Sequence, residues 1–81
     1  MNLSPNAVKL LLSMYKNYSE KNSKEFVDSD FELLGISEED FYAAANELHS
    51  AKLIFNESNS NEKYLYFLFE GVEEAEKFLK K

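Results

Sequence analysis

The chain has no cysteine and no arginine, a single proline, two glycines and one histidine among its 81 residues. Without cysteine there is no disulfide staple and no thiolate chemistry, which fits a reducing compartment. The lone His49 has neither a cysteine nor a second histidine with which to share an ion, so no metal is expected. No window approaches the roughly 18 apolar residues of a membrane span, and the N-terminus lacks the basic stretch and apolar run of a signal peptide. The expectation is a cytoplasmic protein that does not engage membranes. The scarcity of Gly and Pro, set against 44% hydrophobic residues and twelve Phe or Tyr, marks a folding composition. So short a chain has room for one core, and 1–81 is read as a single domain.

Positive charge is also in short supply. Nine Lys stand against fifteen acids, for a net charge of −6. Residues 1–36 carry four Lys and five acids, 37–62 one Lys and six acids, and 63–81 four of each. The central third therefore holds nearly all of the imbalance.

Ser4-Pro5 has the form of an N-cap followed by proline at the first helical position. Val8, Leu11, Leu12, Tyr15 and Tyr18 then recur at helical spacing, which predicts a helix over about 5–20. Leu10 and Met14 widen its apolar arc, the pattern of a helix covered on two sides or used in an oligomer contact. Ser19–Ser29 is polar apart from Phe26-Val27 and reads as a connection with one anchoring segment. Asp30–Leu34 has room for a helical turn or two, which Gly35 ends. Ser37-Glu38-Glu39-Asp40 opens a second long helix, over about 37–51, with Phe41, Ala44, Ala45 and Leu48 on its core side. From Leu53 the period becomes strand-like: Leu53–Asn56, a loop at Glu57–Lys63 and Tyr64–Phe69 read as a β-hairpin. Gly71 is read as breaking the second strand, and Val72, Ala75, Phe78 and Leu79 mark a last helix over about 71–80. The expected core is Leu11, Leu12, Tyr15, Phe41, Ala45, Leu48, Leu53, Phe78 and Leu79.

This order, with the phrases Leu34-Gly35-Ile36-Ser37, Leu48-His49-Ser50-Ala51-Lys52-Leu53-Ile54 and Gly71-Val72-Glu73-Glu74-Ala75-Glu76, resembles the winged helix-turn-helix superfamily over about residues 5–80. Within it, the pattern is most similar to the small YjcQ-like proteins of Firmicutes and their phages. The family's glycine near 51–52 is replaced here by Ala51 and Lys52. The resemblance implies an α+β fold, a three-helix core with a two-strand hairpin wing and a C-terminal helix. It further implies that Ser37–Ala51 is a recognition helix, that Glu57–Lys63 is the wing tip, and that the protein is a bacterial or phage transcription regulator. The DNA- or partner-binding residues would then be Glu39, Tyr42, Ala43, Asn46, His49, Ser50 and Lys63, with Glu47 flanking them.

Charge opposes the DNA reading. DNA affinity comes largely from Lys and Arg neutralising phosphates. The expected recognition helix instead carries Glu38, Glu39, Asp40 and Glu47, with only Lys52 at its end. The leading expectation is still a small DNA-binding regulator read by Tyr42, Asn46 and Ser50. The alternative is a protein-interaction module or homodimeric adaptor whose acidic helix meets a basic partner or imitates nucleic acid. Leu10 and Met14 are the expected dimer or partner interface. Tyr64–Phe69 is apolar on both faces, so its second face is either covered by a terminal segment or open as an interface.

Catalysis has no constellation to carry it. The acids of Glu38–Asp40 lack a nucleophile or pocket to serve, and the serines lack an elbow motif. The run from Asp28 to Glu39 has the spacing of a calcium loop, but Leu33 stands where that loop needs glycine. Ordinary helix-capping acids account for it. No enzyme activity and no cofactor are expected.

Overall fold

The computed structural model describes residues 2–27, 31–59 and 61–80. The Asp28–Asp30 part of the calcium-like run lies outside them. Helix α1 spans Pro5–Lys21. It starts where the Ser4 hydroxyl accepts the Ala7 amide at 3.2 Å, which satisfies an otherwise orphaned helix N–H. It ends at Asn22, whose left-handed backbone (φ 53) a short polar side chain tolerates. Strand β1 spans Glu25–Val27, and Glu32–Leu34 form a single 3-10 turn closed by Gly35 at φ 70. Helix α2, Glu38–Ser50, begins with the Ser37 hydroxyl accepting the Asp40 amide at 3.1 Å. Strands β2 (Ile54–Asn56) and β3 (Tyr64–Phe67) form the hairpin, and α3 spans Phe69–Leu79.

The result is an α+β arrangement of three α-helices and a small antiparallel sheet ordered β1-β3-β2, among the described residues. The sheet has three strands, one more than the hairpin the sequence pattern gives. Phe26, read as an anchor within a connection, is the buried middle residue of β1 and pairs with Leu65. The Phe67 amide donates to the Lys24 carbonyl at 2.8 Å and extends that ladder. The second hairpin strand also ends earlier than its apolar run. Phe69 opens α3, and Gly71 lies inside that helix's first turn instead of breaking a strand. A Cβ on Gly71 would run into the Leu53 carbonyl oxygen and come within 2.8 Å of Phe67 Cε1. The glycine therefore lets α3 lie against the start of β2.

The C-terminus of α2 holds a left-handed position near 51–52, where the resemblance leads one to expect glycine. The Leu53 amide donates to the Leu48 carbonyl (3.1 Å) and the Lys52 amide to the His49 carbonyl (3.0 Å). That pair of bonds is a Schellman motif, which requires a left-handed residue at Lys52. Lys52 adopts it, at φ 63.

The core gathers Leu10, Leu11, Met14, Phe26, Phe41, Leu48, Ile54, Leu65 and Phe67 between the helices and the inner sheet face. Leu10 and Met14 are 0% and 2% exposed, so they are no interface of the folded chain. The wide apolar arc of α1 is used internally, because α2, β1 and α3 all pack against that helix. Leu11, Phe41, Ala45, Leu48 and Leu53 are buried as expected, while Leu12, Tyr15 and Phe78 are partly buried. Leu79 departs from expectation at 57% exposed: Ala75 makes the buried approach of α3, and Leu79 sits at its last residue, beyond that contact.

Candidate interaction surfaces

Successive residues of a helix turn by about 100°, so α2 divides into sectors. Phe41, Ala44, Ala45 and Leu48 face the core. The neighbouring sector faces the hairpin and is bonded to it. The Tyr42 hydroxyl donates to the Asn59 carbonyl at 3.1 Å. The Asn46 side-chain carbonyl accepts from Asn56 Nδ2 at 3.1 Å. His49 Nδ1 accepts the Asn56 backbone amide at 3.1 Å, which places the imidazole proton on Nε2, and its ring meets Phe55 edge to face at 5.5 Å. Lys63 reaches back from the wing to Glu38 at 3.5 Å, with its ammonium 4.9 Å from the Phe31 ring centre and 5.7 Å from that of Tyr42. On the opposite flank the Glu47 carboxylate takes the Ser4 amide and hydroxyl, both at 2.7 Å.

Of the residues expected to meet DNA or a partner, Tyr42, Asn46, His49 and Lys63 are thus joined to the fold itself. Glu47 fastens the start of α1. Glu39, Ala43 and Ser50 form the remaining outward strip, exposed and without a lysine. The described residues of the 57–63 loop are also bonded among themselves and to β3. Asn59 Oδ1 accepts the amides of Asn61 (2.8 Å) and Glu62 (2.9 Å). The Ser58 hydroxyl accepts the Tyr64 amide at 3.0 Å and donates to the Tyr64 carbonyl at 3.2 Å.

A second surface lies on the outer side of the sheet. Alternation along the strands sends Phe26, Leu65, Phe67 and Ile54 inward and Glu25, Val27, Tyr64, Tyr66 and Phe55 outward. The register sets Tyr66 opposite both Glu25 and Phe55. Phe55 is 46% and Tyr66 39% exposed, so the second face of the apolar strand is open. Leu68 and Phe55 line two shallow depressions, one on this face reaching Tyr64, Tyr66 and Glu57, the other at the β2 edge reaching His49, Ser50, Lys52, Ile54 and Glu70. Partial burial, then the nearby Glu25 and Glu57 carboxylates, raise the Tyr64 hydroxyl above its ordinary pKa. The fold therefore favours the neutral phenol.

The sequence signals for this surface are Glu25-Phe26-Val27, which alternates about a buried Phe, and Phe55, out of phase with Ile54. The bond between Glu47 and Ser4 has no such signal, because it joins residues 43 positions apart. Among the described residues no group of three His, Asp or Glu side chains is placed to hold a metal ion, and no helix is long and apolar enough to cross a membrane. No protein-family model, curated protein or solved structure matches the chain.

Proposed function

We propose that this chain is a small winged-helix-like domain that acts by binding, not by chemistry, and that its partner is a protein met through the open sheet face. One observation carries the reading. The sheet leaves Phe55 and Tyr66 uncovered, whereas the outward face of α2 is narrow, acidic and partly occupied by the chain's own hairpin. Aromatic side chains are enriched at protein contact surfaces relative to the rest of the surface. Helix α2 carries Glu38, Glu39, Asp40 and Glu47, with only Lys52, just past its end, to set against phosphates.

DNA binding is the second reading. It is favoured by the order of elements, compatible with a winged helix, and by the exposure of Ala43, Asn46 and Ser50 along one strip of α2. Asn46 is of the residue type that pairs with adenine. The discriminating experiment is a low-salt anisotropy titration of random-sequence duplex with wild type and Glu39→Gln. Absence of binding by both forms at tens of micromolar is the expected result. Binding that strengthens in Glu39→Gln and weakens steeply with salt would instead establish the DNA reading. Glu47 is left unchanged in this test, since its replacement would loosen Ser4.

A further inference from the structure

Each edge of the sheet has an outward-pointing backbone group held by a helix side chain. On β1, Glu25 lies between hydrogen-bonded pairs, so its carbonyl points away from β3, and there it accepts from the buried Asn17 Nδ2 at 2.9 Å. On β2, the Asn56 amide likewise points outward and is taken by His49 Nδ1. An incoming strand would have to displace these bonds before it could extend the ladder. Strand addition is hindered at these two points, whereas the outer face of the sheet is open without any such exchange.

The chemistry of that face is apolar in the middle and negative around it. Tyr66 and Phe55 form a cross-strand aromatic pair, with Tyr64 and Leu68 beside them. Glu25 lies across from Tyr66, Glu57 lines the same depression, and Glu70 the adjoining one; Lys52 is the only cation lining either. The carboxylates that raise the Tyr64 hydroxyl report the same negative field. A second copy of the chain, itself at −6, would set these carboxylates against one another.

Resting on the protein-partner reading above, we propose that this face takes a helical or looped segment that carries Lys or Arg beside large apolar side chains. Its apolar groups cover Phe55 and Tyr66, and its cations meet Glu25, Glu57 and Glu70 and the faces of the tyrosine rings. At 46% and 39% exposure Phe55 and Tyr66 leave about 130–210 Å² uncovered, so a contact centred on them is small and weak.

The test is an amide chemical-shift titration of the whole chain with two synthetic amphipathic peptides, one of Lys and Leu and one of Glu and Leu. The expected result is that the Lys/Leu peptide alone shifts residues 55, 57, 64–66, 68 and 70. Its affinity should fall about fivefold or more in Phe55→Ala, as for a central aromatic contact. It should also fall in Glu57→Gln/Glu70→Gln and with added salt. The double Gln variant alters exposed side chains and keeps the test decisive should Phe55→Ala lose its fold. Equal binding of both peptides at this face would overturn the charge preference and leave a protein-contact surface standing. Shifts confined to Glu39 and Ala43 would overturn this inference, and no shifts with either peptide up to millimolar concentration would overturn it and the protein-partner reading together.

Discussion

Replacing Gly71 by alanine should destabilise the protein, against the direction helix propensity predicts. Gly71 lies in the first turn of α3 and is not left-handed, so its backbone suits any residue. On propensity alone alanine would stabilise the helix by about 0.5–1 kcal/mol. The added methyl, however, would meet the Leu53 carbonyl oxygen, with the Leu53 carbonyl carbon at 3.0 Å and Phe67 Cε1 at 2.8 Å. Leu53 cannot retreat freely, because its carbonyl accepts the Leu68 amide at 3.2 Å and fixes the end of the hairpin. Overpacking of this kind costs about 1–3 kcal/mol, and about 2–3 kcal/mol against a tethered backbone carbonyl; less about 1 kcal/mol of propensity, a net loss of about 1–2 kcal/mol is expected. With a urea dependence near 1 kcal/mol per molar, the midpoint followed by circular dichroism should drop by about 1–2 M. A midpoint equal to or above that of wild type would refute the close approach of α3 to β2. Gly35 supplies the contrast: it sits at φ 70 with no atom within 4 Å of a built Cβ. Its alanine variant should lose about 1 kcal/mol through backbone strain alone. Asparagine should recover part of that loss at 35 and none at 71.

Lys52→Gly should stabilise the chain by about 0.5–1 kcal/mol, read as a higher thermal midpoint, because Lys52 holds a left-handed position in the Schellman motif. Met14→Glu should cost at least about 3 kcal/mol by placing a charge in the core; sedimentation and circular dichroism should show loss of folded structure, and a folded variant would contradict the burial of Met14. The Tyr64 hydroxyl is raised above its ordinary 10.0, so the fold favours the neutral phenol. Stability from this source is complete below about pH 10 and is lost as pH rises through the folded value. Tyr64→Phe should therefore flatten the alkaline decline of the denaturation midpoint, and an unchanged slope would rule out the phenol as its cause. Glu47→Gln should lower stability by about 1 kcal/mol, with the amide shift of Ser4 moving as the direct sign that this contact is broken.

Local signals in the sequence carry much of the fold, and non-local ones carry the remainder. Ser4-Pro5 and Ser37 mark helix starts through short-range capping bonds, and both caps form. Gly35 marks a left-handed stop that is visible from its residue type. β1 escapes the same logic, because three residues do not make a periodic signal and their pairing with β3 crosses about forty positions. Gly71 misleads for a related reason. A glycine after an apolar run looks like a strand breaker when its real constraint is a carbonyl nearly twenty residues earlier. Leu10 and Met14 show the limit of the helical wheel, which gives the width of an apolar arc but not whether neighbours or a partner fill it. The outward positions of α2 were legible as a face, yet Tyr42, Asn46 and His49 turn out to hold the hairpin through bonds that the helical period does not encode.

Those bonds bear directly on what the helix can do. A recognition helix needs one side against the core and a broad opposite side for a groove, with cations at hand for the phosphates. In α2 the hairpin takes the sector next to the core and Glu47 takes the other flank for the start of α1, leaving Glu39, Ala43 and Ser50 between them. The exposed lysines Lys9 and Lys16 belong to α1, and Lys77 and Lys80 to α3 and its end, with Lys77 beside Glu74 at 3.7 Å. For α2 to read DNA, its polar groups would have to leave partners that also fix the wing, and the phosphate contacts would have to come from other elements. The sheet face needs no such exchange: its aromatic rings are uncovered in the folded state, and its carboxylates already form the rim.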